Sequence, residues 1–410
     1  MAFPRPARSV FAYWRAERRT LRQGLVALVL STLAGFVAGL TLAHFTGRLE
    51  QLPGLIVLIP AAVGMRGTIF GAMGARLGTA SAAGTFVPNL GRDGSLYRNA
   101  YVALVTTLSS ALWLALLAKV AGAAFGKPTI SIWGLVTISV VGGLLGSAII
   151  LLVTIGLAVL GFRRGWDLDA VSTPMVTALG DMATLPTLFL ASLVLEIPTL
   201  NAVASALCLV VALYATVRSY RAKVPGVRRI VLEMTPVMLL TPVLDVFAGG
   251  LLQAHEPKLL ALPALLLVVP PFVSQAGALG GIFSSRIASK LELGVIRPLA
   301  RPEPPALLDA SLVVGFGLVV FTLIGAIASM LATATHLASP GIGPMIGTTL
   351  LAGAMTLPLT IVVSYGVAVL STRHGLDPDN AGVPIITSVM DLSGVAALLV
   401  AMAALGVAGA

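Results

Sequence analysis

The sequence predicts an all-α polytopic membrane protein of about eleven transmembrane helices, built from two parallel five-helix repeats and a linking helix. Three observations support this prediction. Of the 410 residues, 57% are hydrophobic and only 10% are charged, and two clusters of residues recur at a constant offset of 210. A single soluble core could not bury this much apolar surface, so the chain is expected to lie in lipid.

Eleven apolar runs are long enough to cross a hydrocarbon core about 30 Å thick, which requires about 20 helical residues. All are predicted to be helices, because an open sheet cannot satisfy its backbone in lipid. The first run has no clear small-residue cleavage site, so a span is favoured over a signal peptide. The runs are 24–45, 53–80, 100–124, 130–161, 171–195, 200–218, 230–252, 259–289, 310–335, 341–370 and 381–407.

Basic residues determine the predicted orientation. With a cytoplasmic N-terminus, 21 of the 26 Lys and Arg residues lie on the cytoplasmic side, four lie outside and Arg66 lies within a span. The C-terminus is then external, and the membrane is a plasma or inner membrane. This topology accounts for the net charge of +10, so nucleic acid is not a predicted partner.

The internal repeat indicates a duplication. The predicted segments are a basic N-terminal segment (1–23), a first repeat (24–195), a linking helix with its loop (196–229) and a second repeat (230–410). The extra span at 200–218 lets both units have the same orientation, related by a pseudo-twofold axis along the membrane normal. The recurring residues are Pro60, Gly67, Arg76, Arg163, Gly165, Asp167, Asp169, Pro174, Thr177 and Asp181, which return as Pro270, Gly277, Arg286, Arg373, Gly375, Asp377, Asp379, Pro384, Thr387 and Asp391.

The strongest candidates for a metal site are Asp181 and Asp391. Each lies about 15 Å into its span at 1.5 Å per residue, which is close to the midplane. A carboxylate there costs roughly 2.5 to 3.5 kcal/mol, so it usually faces a partner or a water-filled path. Thr177 and Thr387 precede the aspartates by four residues and share their helix faces. The alternative is a structural role, with each aspartate capped by a hydroxyl or paired with Arg66.

Asp245 is a third intramembrane aspartate, and its counterpart in the first unit is Gly35. A second ion site or a coupling site is one interpretation, and it adds Asp245 to the candidate metal ligands. We favour an ion pair with Arg66, because an unpaired arginine at this depth would be costly.

Magnesium is the predicted ion, because it sheds water reluctantly and is usually held by one or two carboxylates. Soft metals are disfavoured, since Cys208 is the single cysteine and no histidine lies near the middle of a span. The same oxygen ligands also suit manganese, cobalt and calcium. Divalent ions and the lipid bilayer are therefore the predicted partners, no resident cofactor is expected, and the fused repeats should place the pore within one monomer.

Glycines of the second helix of each unit, such as Gly67, Gly71 and Gly74, share one face and indicate close helix packing. The alternative is a helix break near Gly67 and Gly277 that exposes backbone carbonyls to the ion path. Asp169 and Asp379 immediately precede apolar runs, which predicts helix capping, with a cation vestibule as the second interpretation.

Two pairs of segments resemble the signature regions of the MgtE magnesium channel membrane domain. They are LIPAAVGMRGTIFGAMGARLGTA with VVPPFVSQAGALGGIFSSRIASK, and LDAVSTPMVTALGDMATLP with PDNAGVPIITSVMDLSGVA. The fused form with a linking helix resembles the solute carrier 41 transporters and their prokaryotic relatives. The resemblance implies a cation pore on the twofold axis, lined by the last helix of each unit, with Asp181 and Asp391 facing the hydrated ion.

The sequence departs from this family in two respects. About 23 residues precede the first span, so the magnesium-sensing cytosolic region of bacterial MgtE channels is not expected here. An asparagine of the family is replaced by Thr68 in one unit and by Ala278 in the other.

An enzyme is not predicted, because the chain has no HExxH motif, no Gly-rich phosphate loop and no nucleophile beside a base. The alternative function is secondary transport of another solute by alternating access. An organic or anionic solute would call for basic residues at the site, where only Arg66 qualifies.

Overall fold

The structure is a computed structural model that describes residues 6–52, 55–87, 89, 91, 94–124, 129–166, 168–221, 226–254, 263–376 and 378–407. Within these ranges the chain forms twelve α-helices, one 3-10 turn at Leu193–Glu196 and no strand. The helices are α1 (Pro6–Ala16), α2 (Arg18–Gln51), α3 (Leu55–Ala82), α4 (Ser95–Ala124), α5 (Ile132–Arg164), α6 (Leu168–Ser192), α7 (Pro198–Tyr220), α8 (Val227–Ala254), α9 (Pro263–Glu292), α10 (Pro304–Ala334), α11 (Ile342–Arg373) and α12 (Pro378–Ala404).

The predicted all-helical polytopic fold is confirmed. Ten helices in the described part of the chain are long and apolar enough to cross a membrane. The one predicted span that is not among these ten helices is α3, whose 28 residues cover about 42 Å. Large apolar side chains face outward, as Leu152 is 73% exposed, Val203 67% and Met330 66%. A surface of this kind is stable in contact with lipid chains rather than water.

The helices of the two repeats correspond one to one at the offset of 210. Helices α2 to α6 correspond to α8 to α12. For example, α5 begins at residue 132 and its counterpart α11 begins at residue 342. The linking helix α7 packs on the outside of the first repeat, against α4 and α5. The Ser109 and Thr216 hydroxyls join α4 to α7 at 2.8 Å.

The two repeats run in the same direction. The C-terminal end of α9 lies beside the start of α2, since Arg286 Nη2 donates to Glu17 Oε2 at 3.2 Å. The C-terminal end of α3 lies beside the start of α8, since Arg76 Nη1 is 3.6 Å from Met234 Sδ. Consecutive spans alternate in direction, so both repeats begin at one face of the molecule. We call this face, which holds α1 and the starts of α2 and α8, the N-terminal face.

The first helix of each repeat packs against the other repeat. Helix α2 lies against α9 and α10 of the second repeat, and α8 lies against α3 and α4 of the first. The Gln275 amide on α9 donates to Ser31 Oγ on α2 at 2.7 Å. Each of these helices also contacts the last helix of its own repeat, α6 or α12. The two halves are thus interlocked through α2 and α8.

Helix α1 docks on the second repeat through a buried carboxylate. Asp309, on α10, is completely buried and accepts from Tyr13 Oη at 2.6 Å and from Arg286 Nε at 2.9 Å. Lys290 also contacts Asp309, and Trp14 packs against Gly315, where a Cβ would lie 2.7 Å from the indole ring. The counterpart contact in the first repeat joins Arg76 to Asn99 at 2.8 Å.

Helices α3 and α9 are continuous through their glycines, so the alternative of helix breaks near Gly67 and Gly277 is wrong. Instead, small residues allow the last helices to approach closely, as the packing interpretation predicted. A Cβ on Gly71 would lie 2.8 Å from Val383 Cγ1, and one on Gly277 would lie 3.3 Å from Thr387 Cγ2. Both contacts bring α12 onto the second helices of the two units.

Candidate functional site

Three aspartates from three helices converge inside the protein. Asp181 on α6 is 9% exposed, Asp245 on α8 is 2% exposed, and Asp391 on α12 is partly buried. Asp391 lies close enough to both of the other carboxylates for their like charges to repel. Asp181 and Asp391, one from each repeat, are therefore neighbours, and α8 adds a third carboxylate beside Asp391.

The Asp245 side chain occupies space that a glycine provides. A Cβ on Gly64 of α3 would lie 2.5 Å from Asp245 Oδ2 and 2.9 Å from Asp245 Cγ. The neighbouring polar groups are the Asp391 carboxylate and the Ser388 hydroxyl. Neither oxygen of Asp245 has a partner with good hydrogen-bond geometry within the described part of the chain. Buried carboxylate oxygens without partners are costly and mark a place where a ligand would be favourable.

The surroundings of Asp181 and Asp391 differ, because two pairs of equivalent positions in the repeats carry different residues. At an offset of 210, Gly64 corresponds to Ser274 and Asp245 corresponds to Gly35. Ser274 lies beside Asp181, as the pseudo-symmetry requires. Ser274 near Asp181 thus stands where the other side has Gly64, and Gly35 stands where the other side has Asp245. Ser274, Ser388 and Gly64 were not predicted from the sequence, although comparing the repeats position by position exposes these differences.

Of the two predicted threonines, only Thr387 has a described side chain. Thr387 is buried, and its hydroxyl donates to the Pro384 carbonyl of its own helix at 3.0 Å. The Thr177 side chain lies outside the described residues, so its predicted role is not tested. The same applies to the predicted caps, because the side chains of Asp169 and Asp379 also lie outside the described part.

The predicted ion pair between Arg66 and Asp245 is wrong. Arg66 is buried and donates to the Gly142 carbonyl on α5 at 2.7 Å and to Thr187 Oγ1 on α6 at 3.3 Å. Gly146 provides the space, because a Cβ there would lie 2.5 Å from Arg66 Nη1. Backbone and hydroxyl acceptors can solvate a guanidinium, so the arginine does not need a carboxylate. No ion pair involves Asp181, Asp245 or Asp391 in the described ranges.

The carboxylates do not form a compact cage. Among the described residues, no group of three His, Cys, Asp or Glu side chains is close enough to hold one metal ion directly. The arrangement is an open cluster of negative charge, in which neighbouring oxygens could contact an ion through its water shell.

Comparisons with known proteins agree with the resemblance of the sequence. A family model described as MgtE, divalent cation transporter, matches residues 59–191 and 269–401. No curated protein matches the chain significantly. Among solved structures, the chain is similar to one described as MATE in complex with MaD3S. The identity is 13%, 99% of this chain and 97% of that chain are covered, and the TM-score is 0.38. A likeness this weak carries no argument.

The family model covers more than half of the chain, and its two matches begin 210 residues apart, at the offset of the internal repeat. Each match extends from the second helix of a repeat to its last helix, and therefore includes Asp181 or Asp391. The chain belongs to the MgtE family of divalent cation transporters.

Proposed function

We propose that this protein carries Mg²⁺ across a cell membrane along a path between its two repeats, with Asp181, Asp245 and Asp391 facing the ion. One observation carries the proposal. Three carboxylates from α6, α8 and α12 lie together in the interior, and none forms an ion pair within the described part of the chain. A cation is the ligand that such a cluster would attract.

The electrostatic cost of bringing the three carboxylates together supports a divalent ion. Two unit charges about 4 Å apart repel by about 4 kcal/mol at an effective dielectric constant of about 20. Burial adds to this cost, because it removes the water that stabilises ionised carboxylates. An ion with two positive charges offsets more of this repulsion than a monovalent ion does.

The open spacing favours a hydrated ion. Magnesium keeps several of its waters and is held through one or two carboxylates, whereas Ca²⁺ takes six to eight oxygen ligands directly. The absence of a compact three-ligand group among the described residues suits outer-shell contact. Serine hydroxyls at 274 and 388, and the threonines at 177 and 387, would hydrogen-bond the water shell. Mn²⁺ and Co²⁺ are the competitors of closest chemistry.

The site is proposed to lie within one polypeptide, since both repeats contribute an aspartate and α8 contributes a third. The excess of basic residues at the N-terminal face supports a cytoplasmic N-terminus and an external C-terminus. Transport of an anionic or organic solute has less support, because Arg66 is held by α5 and α6 and not among the three aspartates.

Uptake of Mg²⁺ into proteoliposomes that contain a Mg²⁺-sensitive dye tests the proposal. Asp181→Asn and Asp391→Asn should each abolish or strongly reduce uptake, and Asp245→Asn should lower the apparent affinity. The matched control is Asp309→Asn, which changes a buried carboxylate outside the site to the residue that Asn99 supplies in the first repeat. Uptake near the normal rate by Asp181→Asn/Asp391→Asn would refute the assignment.

A further inference from the structure

A cavity of about 1050 Å³ opens at the N-terminal face between α2, the end of α5 and the start of α6. We propose that it binds an anionic membrane phospholipid, with the phosphate among arginines and the acyl chains along α2. This inference does not depend on the transported ion. The cavity is lined by Arg18, Arg19, Leu21, Arg22, Gln23, Val26, Ala27, Leu30, Leu157, Trp166 and Met175.

The mouth of the cavity is strongly basic. Arg18, Arg19 and Arg22 are exposed on the first turns of α2, and the described part of the chain shows no ion pair to any of them. Arg19 donates to the Arg164 carbonyl at 3.2 Å, which holds α2 against the end of α5. Basic pockets between transmembrane helices at the cytoplasmic side are typical binding sites for anionic headgroups.

The wall below the arginines is apolar and follows a single helix face. Arg22, Val26 and Leu30 are four residues apart, so they lie above one another on α2. Val26 is 52% exposed and Leu30 is 48% exposed. Trp166 stands at the rim, where tryptophan usually marks the headgroup level of a bilayer. A basic mouth above an apolar wall matches a ligand with a phosphate at one end and hydrocarbon at the other.

The equivalent place in the second repeat keeps two of the three arginines, as Arg228 and Arg229, but lacks the third arginine and the tryptophan. At an offset of 210, Arg22 becomes Leu232, Gln23 becomes Glu233 and Trp166 becomes Leu376. Glu233 pairs with Arg229 at 2.7 Å, which partly neutralises that arginine. Pseudo-symmetric folding therefore does not account for Arg22 and Trp166, and the equivalent place, with one arginine paired to Glu233, is a matched control for the first repeat.

Native mass spectrometry of the full-length protein in a mild detergent tests the proposal. The binding of palmitoyl-oleoyl phosphatidylglycerol is compared with that of a phosphatidylcholine that has the same acyl chains. We expect preferential binding of phosphatidylglycerol, and weaker binding as ionic strength rises. Arg18→Gln/Arg22→Gln should weaken that binding about 25-fold, at about fivefold for each arginine near an anionic surface. The matched control, Arg228→Gln/Arg229→Gln, should bind phosphatidylglycerol as the unmodified protein does.

Three results would overturn the proposal. The first is equal binding of the two lipids, and the second is an equal loss of binding in the control variant. The third is full competition by glycerol 3-phosphate at the same concentration as the lipid, which would indicate a site for free phosphate. Since the readout is lipid bound per chain, it is separate from ion transport.

Discussion

Replacing Gly64 with alanine tests whether Asp245 must keep its position in the proposed ion site. A Cβ at this position would lie 2.5 Å from Asp245 Oδ2, whereas ordinary contacts begin at about 3.4 Å. The carboxylate must therefore move by about 1 Å, since it is the mobile end of a side chain and the α3 backbone is fixed by its packing. Functional groups usually have to be held within about 0.5 Å of their working position.

The expected effect is large on transport and small on stability. In enzymes, a displacement of about 1 Å can reduce the rate about a hundredfold, so we expect Gly64→Ala to lower Mg²⁺ uptake about 10- to 100-fold at subsaturating Mg²⁺. Alanine gains about 1 kcal/mol of helix propensity over glycine, and overpacking costs about 1 to 3 kcal/mol. The net change in the free energy of unfolding should therefore stay below about 2 kcal/mol.

The assay is dye-monitored Mg²⁺ uptake into proteoliposomes over a range of Mg²⁺ concentrations, together with a thermal unfolding midpoint for each variant. Gly156→Ala on α5 is the control, because a Cβ there meets no atom within 4 Å. Gly64→Ser/Asp245→Gly copies the Ser274 and Gly35 arrangement and should restore packing without restoring normal Mg²⁺ affinity. Normal uptake by Gly64→Ala would refute a role for the Asp245 carboxylate.

Three further predictions concern the docked helix α1 and the location of the path. Tyr13→Phe removes the hydrogen bond to Asp309 and should reduce docking stability by about 1.5 to 3 kcal/mol, measured as faster amide hydrogen exchange in α1. Burial raises the pKa of Tyr13 above its usual value near 10. The hydrogen bond to Asp309 and the negative charge of Asp309 raise the pKa further. Because the folded state binds this proton more tightly, the contribution of Tyr13 should be complete below about pH 10 and be lost at higher pH, measured by limited proteolysis of α1. Cysteines at Thr177 and Thr387, with Cys208 replaced, should bridge Cd²⁺ or cross-link within one chain.

Controls separate these effects from general damage. Tyr214→Phe changes a tyrosine that is 64% exposed, and it should leave hydrogen exchange in α1 unchanged. Loss of α1 docking between pH 8 and 9 in the unmodified protein would contradict the tyrosine assignment. Cross-links found only between chains would show that the path lies at a subunit interface.

The amino-acid sequence by itself determined the membrane class and the repeat. Long apolar runs dictate helices because the backbone must be satisfied within each segment in lipid, and no tertiary information is needed. The offset of 210 likewise followed from residue identities, and the two matches of the family model begin 210 residues apart. Asp181 and Asp391 became candidates because they recur at the offset of 210 and lie at midplane depth, where a carboxylate is costly wherever its helix lies.

The tertiary structure alone decided which helix faces which. Two charges of opposite sign at similar depth suggested that Arg66 and Asp245 pair, but hydropathy fixes depth and leaves lateral position open. Helix α8 packs across the repeats on α3 and α12, so Asp245 meets Gly64 and Asp391, while Arg66 turns toward Gly142 and Thr187. Apolar faces pack against many partners with similar energies, and small residues determine which pair of helices comes closest. That choice depends on the shapes of all the helices together. The sequence made Asp245 a candidate ligand, and only the folded molecule shows that its charged neighbour is Asp391 and not Arg66.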